Sequence, residues 1–90
     1  MRFMAIITVN NPEMSSADWI VHHTKMQKFT SDFVNNEVFA AVNDKQIIIS
    51  GEMNEADKAK MDEHVKRPES VAFDTLAQVT VESFKCSPMD

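Results

Sequence analysis

The stretch Phe3–Val9 (FMAIITV) is apolar on both of its alternating faces, with Phe3, Ala5, Ile7 and Val9 on one and Met4 and Ile6 on the other. A strand of this kind needs cover on both sides of its sheet, which excludes a half-solvated hairpin protein. The same signal returns in Ile47-Ile48-Ile49. Around these two strands the remaining elements fall into place. Asn10-Asn11-Pro12 ends the first strand with turn chemistry. Ser15 and Asp18 then form a capping-box signature, with Met14 and Trp19 placed to staple across it. Trp19, His22, Met26, Phe29 and Phe33 follow at spacings of three and four, which predicts a long amphipathic helix with that stripe on the sheet. Asn35-Asn36 is its predicted stop, because Asn tolerates the left-handed conformation.

Glu37–Val42 and Gln46–Ser50 read as strands joined by the short turn Asn43-Asp44-Lys45, an antiparallel hairpin. Gly51, the only glycine, marks a bulge or bend. Asn54 caps a charged second helix, Asp57–Arg67, whose apolar residues Met61 and Val65 face inward. Pro68 breaks it and begins a short segment from Glu69 to Ala77. Val79–Lys85 is the last strand, and Cys86–Asp90 reads as a tail. The order is β-α-β-β-α-β, so the predicted fold is α+β and ferredoxin-like: a four-stranded antiparallel sheet with two helices on one face. Residues 1–90 form one domain, since a chain this short holds one core. Two helices cover one sheet face only. The second apolar face predicts a homodimer packed sheet to sheet.

Charge and composition narrow the partners. A net charge of −5, with nine scattered basic residues, argues against nucleic acid or an anionic membrane. No apolar run has the length of a membrane span. Met1–Val9 reads as a strand rather than a signal peptide, and with a single free cysteine the expected setting is the cytoplasm. One cysteine also excludes an internal disulfide.

The run QIIISGEMNEADKAKMDEHVKRPESVAF resembles the antibiotic-biosynthesis monooxygenase-like members of the dimeric α/β-barrel superfamily. In those proteins a strand ends in an acidic residue, and the next helix carries a His, a Pro four residues later and a Phe five beyond. Glu52, His64, Pro68 and Phe73 have that spacing. The aromatic residue often found after the strand is replaced by Met53-Asn54, the His that often follows the Pro is Glu69, and there is no Tyr. The haem-degrading branch is not matched beyond Asn10, and YCII-like proteins are a more distant similarity. The resemblance implies a small cofactor-independent monooxygenase acting on a hydrophobic, aromatic small molecule, with no cofactor and a dimeric α/β barrel. The alternative it leaves is a non-catalytic ligand-binding or regulatory module of the same fold.

His22 is the first catalytic candidate, because it stands on the inward stripe where an apolar residue is expected. An imidazole there suits a general base for a phenolic or enolic substrate. It suits equally a half-buried histidine bonded to a backbone carbonyl, and the sequence leaves both open. Its neighbour His23 is expected to face solvent. His64 is the second candidate, and the resemblance puts it at the pocket rim. Trp19, Met26, Phe29, Phe33 and Phe39 are expected to line an apolar cavity between helices and sheet, or to form plain core, with Asn10 at its mouth. Adjacent histidines lie about 100° apart on a helix, and no ligand spacing for a metal is present.

Overall fold

From Ala5 onward, alternate side chains of Arg2–Val9 (β1) are buried, and the strand occupies an inner position of a four-stranded antiparallel sheet. The structure is a computed structural model that describes residues 1–86. After β1 come α1 (Ser16–Met26), β2 (Asn35–Asn43), β3 (Gln46–Glu52), α2 (Lys58–Val65), α3 (Pro68–Ala77) and β4 (Val79–Cys86). Single 3-10 turns, Gln27–Phe29 and Glu55–Asp57, follow α1 and precede α2. The sheet order is β2-β3-β1-β4, the ferredoxin-like βαββαβ arrangement. Cys86 closes β4 instead of opening a tail, and residues 87–90 lie outside the described residues.

Register follows from the two Ile-rich strands. Ala5 pairs with Ile49 and Ile7 with Ile47, so these side chains share the helix-facing side. Trp19 of α1 and Ala77 of α3 close over them in one core with Val9. Ile47 and Val9 are 0% and 1% exposed, a burial of about 2 kcal/mol for each side chain. A satellite cluster of Phe33, Val34 and Met53 packs under Phe3 and Met61. The opposite sheet face carries Met4, Ile6, Val38, Ile48 and Phe84, and no helix among the described residues covers it; Val38 is 63% exposed.

The start of α1 is the predicted one: the Ser15 amide donates to the Asp18 carboxylate at 2.8 Å. Its end is not. The helix stops at Met26 and tightens into the 3-10 turn, two turns short of Phe33. Just beyond the 3-10 turn the Thr30 hydroxyl and amide both bond back to the Gln27 carbonyl, at 3.3 and 3.1 Å. Asn36 does adopt the left-handed conformation (φ 50°), but inside β2, where it makes a bulge between Asn35 and Val38. Gly51 makes no bulge; it pairs regularly with Phe3. A Cβ there would lie 3.0 Å from the Phe3 ring and 3.1 Å from Val34 Cγ1, so any side chain at this position would have to push those neighbours back by a few tenths of an ångström. Pro68 opens α3 at its first turn, and Arg67 before it has the extended ψ of 142° that a following proline requires.

Candidate functional site

Because α1 lies over the sheet, its neighbouring histidines flank a cavity of about 210 Å³ between helices and sheet. Ile7, Ile49, Val79 and Val81 form the sheet side of this space, and Trp19, Met26, Met61 and Val65 its apolar helical walls. Into this apolar surround project His22, His23, Glu37, His64, Ser70 and Asp74.

His23 does not face solvent. Trp19 lies one turn earlier on the same face, and the two rings stack at 4.6 Å with only 10° between planes. Phe39 meets the His23 ring edge-on at 4.9 Å. Its Nε2 lies 2.6 Å from Glu37 Oε1, and both side chains are nearly buried, 14% and 13% exposed. The Gln27 amide donates to the same oxygen at 3.0 Å. Burial alone pushes the Glu37 carboxyl up, but the hydrogen bond and charge of His23, with the Gln27 bond, outweigh it and hold it below its ordinary value. An ionised carboxylate only accepts hydrogen bonds, so Nε2 is the donor in this contact and Nδ1 is the ring nitrogen turned away from the carboxylate. The arrangement is a carboxylate-oriented imidazole within an apolar cavity.

His22 stacks on Phe73, ring centroids 4.2 Å apart and 3° between planes. Burial lowers its pKa, partly offset by the charge of Asp74, so its ring is neutral near pH 7. Burial in turn raises Asp74, partly offset by His22. His64 is lowered by burial first and then by the charge of Arg67. Its Nδ1 is enclosed without a hydrogen-bond partner among the described residues, as is Arg67 Nε. The Arg67 guanidinium lies over the Phe29 ring, 3.9 Å from its centroid.

The geometry sorts the residues singled out in the sequence. Trp19, His22, Met26 and His64 are in the cavity wall. Asn10 is not at its mouth; the exposed amide ties β1 to β4 by donating to Gln78 O and Thr80 Oγ1. Phe29 lies outside, beneath Arg67, because the chain has already left the helical path. Phe33 is in the satellite cluster, and Phe39 is core beneath Trp19. Glu52 of the four-residue motif pairs with Arg2 at 2.6 Å and accepts from Asn36 at 3.1 Å, away from the cavity. Among the described residues no three His, Cys, Asp or Glu side chains converge as a metal site.

Sequence reasoning missed His23, Glu37 and Asp74. One signal for Glu37 was present: in a strand, Glu37 and Phe39 share a face, so an inward Phe39 carries Glu37 inward with it. A buried carboxylate then requires a partner.

Comparison with known proteins bears on the fold. No family model matches the chain, and no curated protein does. Solved structures do. The chain superposes on SnoaB, a cofactor-independent oxygenase from Streptomyces nogalater, with a TM-score of 0.61 at 10% identity. That match covers 98% of this chain and 93% of SnoaB. A Deinococcus radiodurans protein with a proposed role as antibiotic biosynthesis monooxygenase gives a TM-score of 0.62 at 11% identity, over 100% and 96% of the two chains. A further antibiotic biosynthesis monooxygenase gives 0.59 at 15% identity, over 98% and 100%. The fold is shared. At these identities the resemblance read from Glu52, His64, Pro68 and Phe73 extends to the architecture, and the chemistry has to be argued from the cavity. Among the described residues no helix is long and apolar enough to cross a membrane.

Proposed function

We propose that this protein is a small cofactor-independent monooxygenase acting on a compact, planar aromatic molecule with an acidic C–H or O–H. The observation that carries the reading is the histidine-bearing apolar cavity, set in a fold shared with SnoaB and other antibiotic biosynthesis monooxygenases. Its volume of about 210 Å³ is below the ~300–1,000 Å³ of pockets that take drug-sized ligands, which favours a compact ring system. His22 and His64 are neutral in this environment and able to accept a proton. An electron-rich ring that loses its proton becomes a reductant for oxygen. In an anthrone, one CH₂ and one O₂ become one C=O and one H₂O. The proton leaves first, the carbanion reduces oxygen and joins it as a hydroperoxide, and that hydroperoxide loses water. The protein's part is to desolvate the anion and take the proton.

The working unit in this proposal is a cytoplasmic homodimer. Met4, Ile6, Val38, Ile48 and Phe84 give the open sheet face an apolar character, interrupted by Ser50 and Glu82, that a second copy would cover. Oxygen uptake with a panel of hydroquinones and anthrones tests the activity. Uptake above the uncatalysed rate is the expected result. Saturable binding of the same compounds without uptake would replace the enzyme with a binding or regulatory module.

A further inference from the structure

We propose that His23 is the proton-accepting group of the cavity, with Glu37 and Gln27 as its positioning residues, acting on aromatic ketones and phenols. The inference deepens the preceding reading and rests on it. Three histidines border the same space, and their surroundings differ in the way a base requires. The His22 ring lies flat on Phe73, and no hydrogen bond among the described residues fixes either nitrogen. His64 has its Nδ1 enclosed and the Arg67 charge beside it, which penalises the protonated ring. His23 has neither handicap. Glu37 takes its Nε2 proton at 2.6 Å, and Gln27 holds the same carboxylate oxygen from the other side. Trp19 and Phe39 fix the ring plane by stack and edge.

In the neutral imidazole this contact selects the Nε2–H tautomer, which puts the lone pair on Nδ1 of a ring in the cavity wall. When Nδ1 takes a proton, the positive charge that forms is met by a carboxylate already in place, at no cost in reorganisation. In the step itself the substrate C–H bond breaks, its electron pair stays on the substrate as an enolate, and the proton moves to Nδ1. Return of that proton to carbon closes a cycle with no net oxidation. The first half of the reaction therefore runs without oxygen and is visible as hydrogen–deuterium exchange.

The probe is 2-tetralone, a compact aromatic ketone with an acidic benzylic position, in deuterated buffer under argon. Loss of its benzylic proton signal is followed by NMR. The wild-type protein is expected to exceed the buffer rate. His23→Gln is expected to lose about 10²-fold, a larger loss than His22→Gln or His64→Gln gives. Glu37→Gln is expected to lose an intermediate amount. Histidine ¹⁵N spectra report the tautomer directly: wild type with His23 protonated at Nε2, Glu37→Gln with a mixture. The spectra also cover the case in which His23→Gln fails to fold. Wild-type exchange in His23→Gln would overturn the proposal, as would no exchange by the wild type or an Nδ1-protonated His23. Oxygen uptake decides the parent reading separately: uptake that survives His23→Gln removes this base and leaves the oxygenase.

Discussion

Glu37→Leu is expected to destabilise the protein by about 3 kcal/mol, although no bond of the sheet is touched. The substitution strands two donors, His23 Nε2 and the Gln27 amide, in a site where the His23 and Glu37 side chains are 14% and 13% exposed. Hydrogen bonds to a charged acceptor contribute roughly 1.5–3 kcal/mol each, and the new apolar contact with the core returns about 1–2 kcal/mol. His23→Phe leaves the carboxylate with Gln27 alone and is expected to cost about 2 kcal/mol. The double variant strands no charge and stacks an apolar ring on Trp19, so it is expected to cost only about 2 kcal/mol where the singles sum to about 5. The coupling of about 3 kcal/mol is read from urea denaturation followed by far-ultraviolet circular dichroism, at one protein concentration. With roughly 0.05–0.15 kcal/mol of stability per residue, each single variant of this 90-residue chain is expected to stay folded. The pH dependence has a definite sign. Glu37 is held below 4.5 in the folded state, so its contribution is present above that value and lost as pH falls through the folded pKa. Wild type and Glu37→Leu therefore converge in acid. Additivity within about 0.5 kcal/mol would show that His23 and Glu37 do not depend on each other.

Three further outcomes follow from other parts of the structure. The uncovered sheet face predicts a dimer by sedimentation, and Ile48→Asp, at the centre of that face, is expected to shift it to monomer; a monomeric wild type would remove the sheet-to-sheet argument. His22 and His64 are both lowered below 6.5, so between their folded values and 6.5 the unfolded chain binds more protons and stability rises with pH. The melting temperature is expected to fall as pH drops through that window, less so in His22→Phe, while Asp74, raised above 3.8, acts with the opposite sign at more acid pH. Gly51→Ala is expected to cost about 1 kcal/mol through its contact with the Phe3 ring, and less in a Phe3→Leu background; an equal cost in both would discount the contact.

The order of elements was legible in the sequence because each strand and helix carries its own period and its own stop. The two apolar strands, the Asn43-Asp44-Lys45 turn and the break at Pro68 are local signals, and local signals survive folding. Two features were not local. The stripe ending at Phe33 is periodic on paper, but the chain tightens into a 3-10 turn after Met26, which leaves Phe29 outside and Phe33 in a separate cluster. The His23–Glu37 pair spans 14 positions and depends on the left-handed turn at Asn36, which sets the face of β2 on which Glu37 emerges. For His23 the helix period did carry a signal: it stands four residues after the inward Trp19, on the same face of α1.

In this proposal an aromatic small molecule binds in the space beneath α1. Titration of ¹⁵N-labelled protein with 2-tetralone, followed by amide chemical shifts, tests it most directly. Saturable shifts are expected to concentrate at Trp19, His22, His23, His64, Ser70 and Asp74, which border that cavity. Shifts confined to Met4, Ile6 and Ile48 on the opposite sheet face, or no saturable shift at all, would contradict it.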